Sequence, residues 1–85
     1  MRIYMQTMPG NYEAPRYYQL ALEQDLLGGW TLYREWGTQG GRATLRREQF
    51  LERDAATAAF EKARDAQLKR GFEHGQHVGF GHAGD

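Results

Sequence analysis

A chain of 85 residues without cysteine has room for one sheet and one helix, and neither a disulfide framework nor a thiolate-bound metal supplements its packing. Its 11 basic residues balance 11 acidic ones, and a net charge of +0 excludes a protein that coats nucleic acid by bulk charge; any charged partner has to be met by local patches. No apolar run approaches the roughly 20 residues of a membrane span, and the N-terminus lacks the apolar block of a signal peptide, which points to a soluble chain with no membrane contact and a cytoplasmic setting.

Charge that cancels overall is segregated along the chain. Arg34, Arg42, Arg46, Arg47 and Arg53 face only Glu35, Glu48 and Glu52 in the middle, whereas Glu13, Glu23 and Asp25 face Arg16 alone before it.

Residues 2–8 alternate, with Ile3, Met5 and Thr7 on one side and Tyr4, Gln6 and Met8 on the other, which predicts a first strand buried partly on both faces. Met8 to Pro15 is a connector, because its prolines fix φ and its Gly and Asn tolerate turn conformations. Residues 16–24 predict a second strand whose core face is Tyr18, Leu20 and Leu22. Gly28-Gly29 then signals a hairpin.

In the third strand, Trp30 to Trp36, alternation groups Trp30, Leu32, Arg34 and Trp36 opposite Thr31, Tyr33 and Glu35. An arginine between Leu32 and Trp36 predicts that the second half of this strand leaves the core face for a rim, unless a bulge resets the register. Gly37-Thr38-Gln39-Gly40-Gly41 is the next reversal, expected to leave an exposed Trp36 and several arginines at one edge of the sheet. The fourth strand, Arg42 to Phe50, is predicted with Ala43 and Leu45 inward and Thr44 and Arg46 outward, which gathers Arg34, Trp36, Arg42 and Arg46 in a limited area.

From Asp54 the period changes to 3.6, with Ala56, Ala59, Phe60, Ala63 and Ala66 in one stripe and Glu61, Lys62, Asp65 and Lys69 opposite. Asp54 is the expected N-cap, and Lys69-Arg70-Gly71 supplies the cations and glycine of a helix end. Phe72 and Glu73 add a short last strand or pin the chain to the core, and glycines beyond them predict a loose tail from about residue 74. The expected fold is α+β: a small antiparallel β-sheet of four to five strands with one C-terminal α-helix packed across one face, in a domain spanning 1–73 with a Gly/His-containing tail at 74–85.

Catalysis finds little support in the side chains. The chain contains neither Ser nor Cys, so no Ser-His-Asp or Cys-His nucleophile exists. His74-x-x-His77 is a weak metal signal, with His82, Glu73 and Asp85 the only other ligand types nearby. The paired carboxylates Glu61/Asp65 and Glu48/Glu52 read as solvent-facing, and the glycine turn matches no phosphate-binding or dinucleotide fingerprint. No catalytic residue, metal, cofactor or small-molecule substrate is therefore expected.

The order Arg16-Tyr17-Tyr18-Gln19-Leu20, then Trp30 through Gly37, then Gly40, then Ala59-Phe60 leading to Lys69-Arg70-Gly71-Phe72 resembles the WGR domain. That module is named for a Trp-Gly-Arg motif and occurs in poly(ADP-ribose) polymerases and as a stand-alone bacterial domain. The resemblance covers residues 16–72 and implies an antiparallel sheet with one helix across it. It also implies a nucleic-acid-binding module, since in the polymerases the motif's Trp and Arg meet DNA at a strand break. Trp36 and Gly37 match the motif, while Thr38 stands at the position of its Arg. The expected partner is nucleic acid, DNA with ends or nicks, met by Trp36, Gly37, Arg34, Arg42, Arg46 and Arg47. The alternative is an acidic protein partner bound by Trp36 and Tyr33 with the same arginines.

Overall fold

The structure, a computed structural model, describes residues 1–7 and 15–75. Among these residues the elements run β1 (Arg2–Gln6), β2 (Arg16–Gln24), β3 (Trp30–Thr38), β4 (Ala43–Phe50), α1 (Arg53–Lys69) and β5 (Glu73–His74). All neighbouring strands pair antiparallel in the order β4-β3-β2-β1-β5, so the fold is α+β with α1 across one face. The connector expected over Met8 to Pro15 falls almost wholly outside the described residues.

Register decides which face is core. Tyr18 lies opposite both Met5 and Trp36, Leu20 opposite Ile3 and Arg34, and Leu22 opposite Leu32, which places all of these on one side of the sheet. Against that side α1 sets Ala56 and Phe60, and Phe72 closes the end. Met5, Leu20 and Leu32 are fully buried, and each such side chain contributes roughly 1.5–3 kcal/mol through removal from water.

β3 does not leave the core face. Its pairing with β2 runs without a bulge from Trp30 opposite Gln24 to Thr38 opposite Arg16, so Arg34 stays on the helix side. β4 is inverted from expectation: Thr44, Arg46 and Glu48 share the helix side with Trp36, Arg34 and Leu32, while Ala43 and Leu45 lie on the other face. The reason is that β4 is the outer strand, exposed along its length apart from Phe50, so burial imposed no apolar alternation on it. Leu45 accordingly remains 54% exposed.

The helix begins one residue earlier than its expected cap. Glu52 is the N-cap and makes no side-chain capping bond, while Asp54 sits in the first turn, where its charge complements the helix dipole. Its buried line is Ala56, Phe60 and Gln67, with Ala59 and Ala63 packed beside it, whereas Ala66 is exposed. The C-terminus is as expected. Gly71 has φ +100°, its amide donates to the Leu68 carbonyl at 3.2 Å, and Phe72 N–H donates to the Gln67 carbonyl at 3.1 Å, a Schellman closure.

That closure turns Phe72 inward against Tyr18, ring centroids 6.0 Å apart and edge-on. The chain then pairs with β1, His74 opposite Met5, and Gly75 N–H donates to the Tyr4 carbonyl at 2.9 Å. The boundary expected between 73 and 74 therefore falls inside β5, and the stretch from 76 on, with His77 and His82, lies outside the described residues. At the β2–β3 loop, the Asp25 carboxylate accepts from the amides of Leu27 and Gly29, both at 2.9 Å, and Gly28 takes φ +94°. None of the described helices is long and apolar enough to cross a membrane.

Candidate functional site

The reversal after β3 is built by two glycines with different tasks. Gly41 N–H donates to the Thr38 carbonyl at 2.8 Å, and Gly40 between them has φ +77°, the value a type II turn requires at that position. Gly37 is needed for space: a Cβ there would sit 2.2 Å from the Arg42 carbonyl oxygen.

Trp36, expected as an exposed aromatic, is half-buried instead. Continuous register holds it on the helix side, where it stacks on Tyr18 with centroids 5.4 Å apart and planes 8° from parallel. The indole thus belongs partly to the core. Beside it a groove of about 420 Å³ opens between the sheet and the end of α1. Tyr18 and Trp36 line it together with Arg16 from β2, Arg34 from β3, and Gln67 and Arg70 from the end of the helix; among the described residues no Asp or Glu does. A second cleft, of about 480 Å³, shares Tyr18, Arg34, Gln67 and Arg70 and extends along α1 to Lys62.

Arg34 is the most constrained of these cations. It lies directly opposite Arg46, and the like charges are offset by Glu48, whose carboxylate accepts from the Arg34 guanidinium at 2.9 Å. Its Nε is buried with no hydrogen-bond partner among the described residues. A buried guanidinium N–H without an acceptor is costly in a folded protein and marks a place suited to an anion or an ordered water.

Sequence reasoning placed six residues at this site, and the structure divides them. Arg34, Trp36 and Gly37 line the groove. Arg46 shares their side of the sheet but not the groove lining, Arg42 is exposed after the turn, and Arg47 lies on the opposite face across from Tyr33. Tyr33 is therefore not on the side of Trp36, and the two cannot form one anchor. Arg16 and Arg70 were missed. The signal for Arg16 was present, since it precedes Tyr18 by two residues and period-two alternation puts both on one side.

The face away from α1 carries a separate aromatic cluster. Tyr4 and Tyr17 stack at 6.0 Å, the Gln39 amide donates to the Tyr4 hydroxyl, and the Tyr17 hydroxyl donates to Glu35 at 2.7 Å. Burial, and then that bond to Glu35, push the Tyr17 phenol up to about 12.

These features define a small antiparallel α+β module with an aromatic groove rimmed by arginines. The family model of the WGR domain matches residues 1–78 of the 85, and the chain belongs to that family. The WGR domain is in general a nucleic-acid-binding module rather than a catalytic domain. No curated protein and no solved structure matches the chain.

Proposed function

We propose that this domain is a non-enzymatic, cytoplasmic module that binds nucleic acid, foremost DNA at ends or nicks, through the groove beside Trp36. The observation that carries this reading is the groove's composition: a Tyr18–Trp36 stack flanked by Arg16, Arg34 and Arg70, with no acidic side chain among the described residues of the lining. A base or sugar laid against Trp36 gains about 1–3 kcal/mol from aromatic contact, and the guanidinium forks suit phosphate oxygens. With up to three arginines engaged, the logarithm of affinity should fall with the logarithm of salt at a slope of about −2 to −3, a weak and sequence-tolerant mode.

Titration of single-stranded, nicked and blunt-ended DNA against the wild type and Trp36→Ala, over a range of salt, tests this. Salt-dependent binding lost in the variant supports it; absence of binding at low salt, or identical binding by the variant, refutes it.

An acidic protein partner is the second reading, and one observation favours it: Arg47 lies across from Tyr33 on the face away from the groove. Partners captured from host lysate that survive nuclease treatment and are lost in Arg47→Glu would support that surface.

A further inference from the structure

We propose that Arg16 supplies, from the neighbouring strand, the cation that the third motif position lacks in this chain, and that it is the groove's principal phosphate-binding arginine. This inference rests on reading the Trp36 groove as a nucleic-acid site.

Position 38, where the motif's arginine would stand, is a threonine, and the residue directly opposite it on β2 is Arg16. Side chains paired in this way rise from Cβ atoms about 4.5–5.5 Å apart on the same face of the sheet. A guanidinium at either position therefore serves the same end of the groove. Arg16 lines that groove with Trp36, whereas Thr38 and Arg42 do not.

The backbone at Arg16 is fixed on both sides. Thr7 N–H donates to the Arg16 carbonyl at 2.9 Å, and Arg16 N–H donates to the Thr7 hydroxyl at 3.0 Å. On the other side, Gln39 N–H donates to the Pro15 carbonyl at 2.8 Å. The side chain itself is exposed, so a rigid base presents a long cation to solvent at the groove mouth.

Among the described residues its charge is also uncommitted. Arg34 is held by Glu48 at 2.9 Å. Arg70 caps α1, where the partial negative charge of the helix end offsets it. Arg16 makes no ion pair among the described residues. A forked donor with no carboxylate to displace keeps its full attraction for a phosphate.

The test moves the cation across the strand pair. Arg16→Thr, Arg16→Thr combined with Thr38→Arg, Arg42→Thr and Trp36→Ala are titrated with the same nicked duplex at several salt concentrations. Thermal unfolding is followed in parallel. Arg16→Thr should weaken binding about tenfold, the value of one charge-assisted contact, and lower the salt slope by about one. Restoring an arginine at 38 in that background should recover the slope and most of the affinity, and Arg42→Thr should leave both near wild type. Because residues 16 and 38 are both exposed, the unfolding temperature should not move.

If Trp36→Ala abolishes binding while Arg16→Thr matches the wild type in affinity and slope, the role of Arg16 is overturned and the groove reading stands. If the double variant binds no better than Arg16→Thr, the cross-strand equivalence is overturned. A wild type that binds no DNA refutes the groove reading and this inference with it.

Discussion

Tyr18 and Trp36 face each other across β2 and β3 with their rings stacked at 5.4 Å, and Phe72 meets the same tyrosine edge-on from beyond the helix. One side of this aromatic group closes the core and the other lines the groove. Stability and binding are therefore coupled at Trp36.

Trp36→Ala should lower unfolding free energy by about 2–3 kcal/mol, below the range for a fully buried aromatic because the indole is only half-buried. DNA affinity should drop further than the fold loss explains once binding is corrected for the folded fraction that urea unfolding gives. Trp36→Phe keeps a ring on Tyr18 and should recover most of both. Urea unfolding and DNA titration on the same preparations check this; equal binding by Ala and Phe variants would contradict it.

Phe60 is the large apolar anchor by which α1 holds to the sheet, 3% exposed, and the other apolar residues of its packed face are Ala56, Ala59 and Ala63. Its truncation to Ala leaves a cavity that alanine neighbours cannot fill, at a cost of about 3–5 kcal/mol. For a domain of 85 residues that corresponds to a fall of more than about 12 °C in melting temperature. Calorimetry or circular dichroism melting measures it, and a shift of only a few degrees would show that α1 is not held through this contact.

Gly37 and Gly41 flank one turn but differ in what a methyl group would meet. At Gly37 the added Cβ falls 2.2 Å from the Arg42 oxygen, just before the paired strand, and 3.0 Å from Ala43 Cα at its start, both backbone atoms. At Gly41 the nearest atom is 3.4 Å away. Gly37→Ala should cost about 1–3 kcal/mol or more through displacement of β4, and Gly41→Ala close to nothing. Comparing their urea midpoints separates steric need from turn preference; equal midpoints would remove the steric account of the motif glycine.

The sequence was most informative where periodicity and burial coincide. Tyr18, Leu20 and Leu22 on β2, and Phe60 on α1, announced the core because each element has one face against the other. β4 gave a misleading alternation, since an exposed outer strand is under no pressure to place Leu45 inward. Arg34 was read as leaving the core because its companion, Glu48, lies on another strand, and only register brings the two together. The groove was half-legible for the same reason. Arg34 and Trp36 come from one strand, but Arg16 and Arg70 are added by pairing and by the helix end.

Tyr17 makes the fold sensitive to alkali. Its phenol is raised from 10.0 to about 12, mainly by burial and then by the hydrogen bond to Glu35. Below pH 10 the group is protonated in both the folded and the unfolded chain, and its contribution to stability is fully present. As pH climbs from 10 towards 12, the unfolded chain releases this proton while the folded chain retains it, so stability falls across that window. Tyr17→Phe removes the group and should flatten this part of the profile, at the expense of the bond to Glu35 at lower pH. Urea midpoints measured at intervals from pH 9 to 12 should decline more steeply in the wild type than in Tyr17→Phe. Parallel decline in the two proteins would mean that Tyr17 ionises as readily in the folded state as in the unfolded one, and that the Tyr17–Glu35 bond does not hold its proton.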